Sequence, residues 1–242
     1  MREILGRVNS VESMGLLDGP GIRFVVFMQG CQLRCQYCHN PETWDLKGKS
    51  ELMSASEIVE KVEKYRNYFG EDGGVTFSGG EPLLQPEFLL ACLKKCREKG
   101  IHTCIDTAGV GFGDYDEILK YTDLVILDIK AVDEDEYRTI TGQRMDMFHR
   151  FLEATQRMNT KLWLRQVIVP GINDDREHVL KLCSFARTVK NVEKVELLPY
   201  KTLGVHKYRE LNIKYRLEGV EDLSQAKLDE LNTILRENLA LS

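Results

Sequence analysis

The 242-residue sequence has no apolar stretch of the roughly 18 residues or more needed to cross a bilayer. Nor does it open on a charged segment, a short apolar core and a small-residue cleavage site, as a secretory leader would. These two absences set the expectation of a cytoplasmic protein that does not engage membranes. Long basic runs are missing too, and the formal net charge is -5. Nucleic acid and anionic lipid are therefore poor choices for its main partner. No low-complexity segment, internal repeat or break in composition marks a second domain. Hydrophobic residues make up 43% of the chain, enough for a core and far from the disordered regime. We read one domain over residues 1–242: an extension at 1–20, a core at 21–199, and a closing loop and helix at 200–242. Seven cysteines, an odd number in a chain without a leader, read as thiols or metal ligands, not as a disulfide framework.

What is present is organised around Cys31-Gln-Leu-Arg-Cys35-Gln-Tyr-Cys38-His-Asn-Pro41. Three thiolates this close can hold one metal or one iron–sulfur cluster, and no fourth cysteine sits beside them. A structural zinc site is closed by four protein ligands, whereas a catalytic site keeps a vacancy. Four-iron clusters are usually held by four cysteines, so three leave one iron for a small molecule. Two duller readings compete. A zinc knuckle would need His39 as its fourth ligand, yet neighbours in sequence seldom chelate one tetrahedral ion comfortably. A redox thiol pair would want CxxC, and the first spacing here is CxxxC. Cys92, Cys96, Cys104 and Cys183 fall on helix faces or inside a strand and read as small buried hydrophobes.

An apolar run at 22–28 predicts a buried strand that leads into the cysteine loop. Further strands are predicted at 75–78, 101–106, 123–128, 162–169 and 195–198, with a short strand or hairpin at 4–12. Helices are predicted after an N-cap at Ser56, before a stop at Gly100, and at 133–141, 146–158, 175–189 and 223–239. Strands alternating with helices imply an α/β fold with a parallel sheet and right-handed crossovers. Six such units suggest an incomplete barrel or an open sheet, and in either one ligands bind at the carboxyl ends of the strands. The chemistry-bearing residues collect there. The cysteines follow the first of these strands and Gly79-Gly80-Glu81 the second. Asp106 and Thr107 end the third, and Asp128 and Lys130 the fourth. Buried carboxylates need partners; the ordinary readings are an Asp128–Lys130 ion pair and Asp106 as a helix cap. Arg165 shares its inward parity with Trp163 and Val167. A loop of about 24 residues after 198 is long for a compact domain, and so a candidate lid or partner surface.

The spacing Cys31-x3-Cys35-x2-Cys38, with Tyr37 before the last cysteine, resembles the signature of the radical S-adenosylmethionine (radical SAM) superfamily. Glu12-Ser-Met-Gly15, Asp18-Gly-Pro-Gly-Ile-Arg-Phe24, Tyr37-Cys-His-Asn-Pro41, Thr43-Trp44, Ser78-Gly-Gly-Glu81 and Glu196-Leu-Leu-Pro-Tyr200 resemble its activases of glycyl-radical enzymes. The likeness spans almost the whole chain. Many of those activases carry cysteine-rich ferredoxin insertions after the cluster motif. None lies between Cys38 and Cys92, which favours the type that acts on pyruvate formate-lyase.

The resemblance implies a partial (β/α)6 barrel and a [4Fe-4S] cluster on Cys31, Cys35 and Cys38, whose fourth iron chelates SAM. It implies reductive cleavage of SAM to methionine and a 5′-deoxyadenosyl radical, which forms a glycyl radical on pyruvate formate-lyase in anaerobic metabolism. No general base is needed, so the lack of a Ser-His or paired-acid constellation is no objection. Implied SAM contacts are Tyr37, Cys38 and His39 near the adenine, Gly79, Gly80 and Glu81 at the ammonium, and Asp128, Ile129, Lys130, Arg165 and Lys201. Asp106, Thr107 and Asp128 would hold a monovalent cation, Na+ or K+. Lys201 stands where many members have His; it can donate but not stack or accept like an imidazole. Asp18, Arg23 and the 199–222 loop are candidates to touch the substrate peptide. The implied electron donor is a flavodoxin or ferredoxin. The chain is expected to work as a monomer, without nucleic acid or membrane. An activase of another glycyl-radical enzyme, a radical SAM enzyme acting on a small molecule and a zinc-binding module remain as alternatives.

Overall fold

Val25, Val26, Val75, Phe77, Ile105, Val125, Ile126 and Leu164 have no solvent exposure, as strands covered on both faces require. The computed structural model describes residues 3–239. The strands are β1 (Leu5–Gly15), β2 (Arg23–Met28), β3 (Glu51–Ser54), β4 (Gly74–Gly79), β5 (His102–Thr107), β6 (Leu124–Asp128), β7 (Lys161–Ile168) and β8 (Val192–Pro199). They form one sheet in the order β3-β1-β2-β4-β5-β6-β7-β8. From β2 to β8 every pairing is parallel; β1 and β3 are antiparallel additions at one edge. The ends of the order, β3 and β8, stay unpaired with each other, so the barrel is incomplete.

The helices are α1 (Ala55–Glu63), α2 (Pro86–Glu98), α3 (Tyr115–Leu119), α4 (Glu134–Thr141), α5 (Asp146–Arg157), α6 (Arg176–Thr188), α7 (Val205–Glu210) and α8 (Gln225–Asn238). They cover the outer face, except α7, which packs against the 41–43 turn after the cysteine loop. Phe24, Val26 and Met28 of β2 join Ile58 and Val62 of α1 and Phe88 and Leu93 of α2 in the main core. Alternate residues point the other way, and Cys104, Leu124, Ile126 and Trp163 form a separate small cluster on the inner face. Cys92, Cys96, Cys104 and Cys183 are free and buried, as small hydrophobes should be.

The expected N-cap at Ser56 is corrected to Ser54. The Ser54 hydroxyl accepts from the Glu57 N–H at 3.2 Å, and the Glu57 carboxylate accepts from the Ser54 N–H at 2.7 Å. This reciprocal box starts α1 directly at the end of β3. β3 carries no strand signal of its own; its register is set by β1, from Leu5 opposite Ser54 to Val8 opposite Glu51. The 199–222 segment is also more ordered than a loop, because Tyr208 of α7 and Leu217 are buried.

After β1 the chain doubles back across the inner face. Thr76 donates to the Asp18 carbonyl at 2.7 Å, and Arg165 to the Leu17 carbonyl at 2.8 Å. Thr76 and Arg165 each stand two residues before the inward positions Ser78 and Val167. Residues 17–20 therefore floor the space that opens at the carboxyl ends. Arg23 lies under this floor with no solvent exposure. It starts β2, about five residue steps or ~17 Å from the cysteine loop at the strand's far end. The expectation that Arg23 touches a substrate peptide is therefore corrected.

Candidate active site at the carboxyl ends of the strands

The cysteine loop leaves β2 and is pinned on two sides. The Gly30 and Cys31 amides donate to the Thr43 and Trp44 carbonyls, at 2.7 and 3.2 Å. The Arg34 and Gln36 amides donate to the Thr141 and Ile140 carbonyls at the end of α4, at 2.8 and 3.0 Å. From α7 the Tyr208 hydroxyl donates to the Cys38 carbonyl at 2.9 Å. Held this way, Cys31, Cys35 and Cys38 line one cavity together with Ser78, Asp106, Asp128 and Lys130. Burial pushes the Cys35 thiol up to about 12, Lys130 offsetting part of the rise. It also raises Cys31 and Cys38. Such thiols give up their protons when a metal supplies the positive charge. Among the described residues no three His, Cys, Asp or Glu side chains form a single-ion site. Three cysteines that line one cavity are a donor set that suits an iron–sulfur cluster. Tyr37, between the last two cysteines, has a buried hydroxyl without a partner and faces the same space.

Gly79 and Gly80 line this cavity, but their lack of side chains serves the chain itself. A Cβ on Gly80 would lie 2.2 Å from the Gly30 carbonyl oxygen, and one on Gly79 2.3 Å from the Met28 nitrogen. Gly79 also has φ +106°, in the region that favours glycine. This turn sends Glu81 away from the cavity. The Glu81 carboxylate accepts from Thr107 Oγ1 at 2.5 Å, the Ala108 N–H at 2.9 Å and the Leu83 N–H at 3.1 Å. It is 1% exposed, and burial raises its pKa to about 7 against those three donors. Its expected role at a SAM ammonium is therefore revised: the carboxylate knits the loops after β4 and β5 together. Thr107 lines the cavity while its hydroxyl donates to Glu81 and accepts from the Gly109 N–H.

Asp106 caps no helix; it accepts from Ser78 Oγ at 2.9 Å. Burial first, then the Asp128 charge, lifts its pKa to about 6. Asp128 meets Lys130 Nζ at 2.7 Å, and that ammonium lies 5.6 Å from the Tyr37 ring centroid. Burial opposes the Lys130 charge, but Asp128, Tyr37 and Cys35 outweigh it and raise its pKa. The cavity thus holds two crowded carboxylates, one ammonium and three thiols.

Other expected contacts fall outside this wall. Arg165 donates to Glu196 at 3.1 Å and to the Leu17 carbonyl, and the Asp106 and Asp128 charges act on it as well. The Ile129 side chain lies in the main core. Lys201 reaches toward Asp222 at 3.4 Å, and only its carbonyl, 2.8 Å from the His39 ring, approaches the site. His39 itself lines the cavity. Asp18 is half-buried in the floor, its pKa raised by burial and then by Glu12. Wall residues that sequence reasoning had not assigned include Trp44, Ser78 and Val167. Inward parity with Thr76 and Arg165 marks Ser78 and Val167; Trp44 is marked only by the Thr43-Trp44 motif, to which no role had been given.

Residues 25–183 match the Radical SAM superfamily, and the chain belongs to it. It is 54% identical over 237 residues to the pyruvate formate-lyase-activating enzyme of Clostridium pasteurianum, covering 98% of this chain and 99% of that one. The pyruvate formate-lyase-activating enzyme of Staphylococcus epidermidis is 46% identical, with 89% of each chain covered. Within the superfamily, then, this chain groups with the pyruvate formate-lyase-activating enzymes. Among solved structures, a domain of the Bacteroides vulgatus activating enzyme matches with a TM-score of 0.55 at 25% identity, covering 69% of this chain and 94% of that one. Peptide-bound SuiB of Streptococcus suis shares the fold, with a TM-score of 0.66 at 18% identity, covering 88% of this chain and 44% of that one. No helix among the described residues is long and apolar enough to cross a membrane.

Proposed function

We propose that this chain activates pyruvate formate-lyase by forming a glycyl radical on it. The observation that carries the reading is one cavity at the strand ends walled by three free thiols, Asp106, Asp128 and Lys130. When bound there, a [4Fe-4S] cluster and SAM supply an electron and, by reductive cleavage to methionine, a 5′-deoxyadenosyl radical that takes hydrogen from a glycine. The protein supplies orientation, electrostatics and exclusion of side reactions. Cys31, Cys35 and Cys38 hold three irons. Lys130 presents a cation to the SAM carboxylate, and the carbonyls of Gly79 and Gly80 accept from its ammonium. Tyr37 and His39 border the adenine. Asp106 and Asp128 repel each other, so a monovalent cation between them relieves both, with Thr107 nearby. Residues 17–20 lie across the inner face on Thr76 and Arg165, and Asp18 is retained as a contact for the substrate peptide. The donor is a flavodoxin or ferredoxin, and the working unit is a monomer in the cytoplasm.

The test mixes anaerobically reconstituted protein with dithionite, SAM and pyruvate formate-lyase. A glycine-centred signal by electron spin resonance is expected. Zinc without iron in the purified protein would overturn the reading, as would an iron-loaded protein that cleaves SAM yet leaves pyruvate formate-lyase without a radical.

A further inference from the structure

A second concavity, of ≈ 1230 Å³, lies on the outer side of the cysteine loop. Cys31 and Trp44 line both this groove and the inner cavity, so the two spaces share a wall. Arg34, Lys47 and Lys49 stand exposed around the groove. Its acids are Glu42 and Asp45. Glu42 is already engaged by Lys207 Nζ at 2.6 Å, and Asp45 accepts from the Lys47 N–H at 2.9 Å. Asp45 keeps its charge, yet with Lys207 counted the groove sets four cations against two carboxylates, so it is cationic on balance in a chain of formal charge -5. The Arg34 guanidinium lies 4.9 Å from the Trp44 ring centroid and donates to the Cys31 carbonyl at 2.7 Å. Leu46 and Leu211, 47% and 42% exposed, add apolar surface.

We propose that this groove docks an acidic one-electron carrier protein, which reaches the cysteine-held cluster through the Cys31–Trp44 wall. The inference rests on the function proposed above. SAM and the substrate glycine must share the inner cavity, so an electron that arrives while they are bound has to enter from the other side of the loop. Opposite charge orients and speeds such an encounter, and does so in a salt-dependent way. The transfer makes and breaks no bond. The reduced carrier loses one electron and the cluster gains it, passing from the 2+ to the 1+ state.

The test compares wild-type holoprotein with Lys47→Glu/Lys49→Glu, using purified flavodoxin as the acidic carrier. Anaerobic titration at low salt should show flavodoxin affinity falling about tenfold, with most of its salt dependence lost. SAM cleavage driven by reduced flavodoxin should fall in parallel, while the dithionite-driven rate and the iron content stay the same. The milder Lys47→Gln/Lys49→Gln should lose affinity in the same direction and by less. Unchanged flavodoxin affinity in both variants overturns the proposal. So does a raised KM for pyruvate formate-lyase under dithionite, which would make the groove the substrate's docking face. Wild-type protein that fails to cleave SAM with dithionite instead refutes the function proposed above, and the titration distinguishes the two failures.

Discussion

The inner sheet face carries charged side chains at both ends, and the two ends treat them differently. At the amino end Arg23 is fully enclosed, with a partner on every side. It donates to Thr76 Oγ1 at 2.9 Å, to the Val75 carbonyl at 2.5 Å and to the Asp72 carbonyl at 3.3 Å, and it meets His102 Nδ1 at 3.2 Å. At the carboxyl end Asp106 has Ser78, Asp128 has Lys130, and all four line an accessible cavity. Burial alone therefore does not separate structural from functional charge here. Arg23 has no bonding capacity left for a ligand. The strand-end carboxylates and ammonium do, because they line the cavity with only Ser78 and one another as close partners.

The largest effect should come from the cysteines. Replacing Cys31, Cys35 or Cys38 by Ala should abolish SAM cleavage and lower the iron content. Iron retained at the wild-type level with cleavage intact would put the chemistry somewhere other than this cavity. At the opposite end, Arg23→Met leaves several buried acceptors without a donor. It should cost about 3 kcal/mol, or roughly 6–12 °C in Tm for a chain of this size, read by thermal denaturation. SAM cleavage per folded molecule should persist; its loss would show that the amino end takes part in the chemistry.

Glu81 sits between these extremes and offers a pH test. Its ordinary value is 4.5 and its folded value about 7. Below both, folded and unfolded chains alike hold the proton. Between them the unfolded chain releases it first, so this group's contribution to stability falls as pH rises through that window and is level above it. Glu81→Gln should remove that decline, about 3 kcal/mol, measured by denaturant unfolding at several pH values. It should also lower stability at acid pH, because the amide presents a donor where Ala108 or Thr107 donates. An identical pH slope in wild type and variant would deny the carboxyl its raised pKa. The smallest effect is expected at Lys130. Lys130→Met should weaken SAM binding about 10–100-fold, the scale of one charge-assisted hydrogen bond, in anaerobic calorimetry. Its Tm should fall less than that of Arg23→Met, and the reverse order would invert the contrast between the two ends.

Much of the fold was legible because it rests on local patterns. Buried parallel strands are continuous apolar runs, and six of them could be placed from the sequence. β3 could not, since four residues find their register only against β1. The order within residues 199–222 was missed for a similar reason: Tyr208 and Leu217 are buried by contacts far away in sequence. The Asp128–Lys130 pair was legible because its members are two residues apart. Glu81 was misread because the positive φ of Gly79 turns its side chain from the cavity toward the loop after β5. Lys201 could not be placed from sequence, because its neighbour Asp222 lies twenty-one residues on.

The sequence by itself determined the three-thiol loop, the strand that delivers it and the end of the sheet where ligands gather. These depend on spacing along a few neighbouring residues. Tertiary structure decided which partners the charges meet: Arg23 has Thr76, His102 and the Val75 and Asp72 carbonyls, Arg165 has Glu196 and the Leu17 carbonyl, and Glu81 has Thr107 and Ala108. It also placed Trp44 and Cys31 between two spaces. A charged group's role depends on the partners that reach it, and most of those partners come from distant parts of the chain.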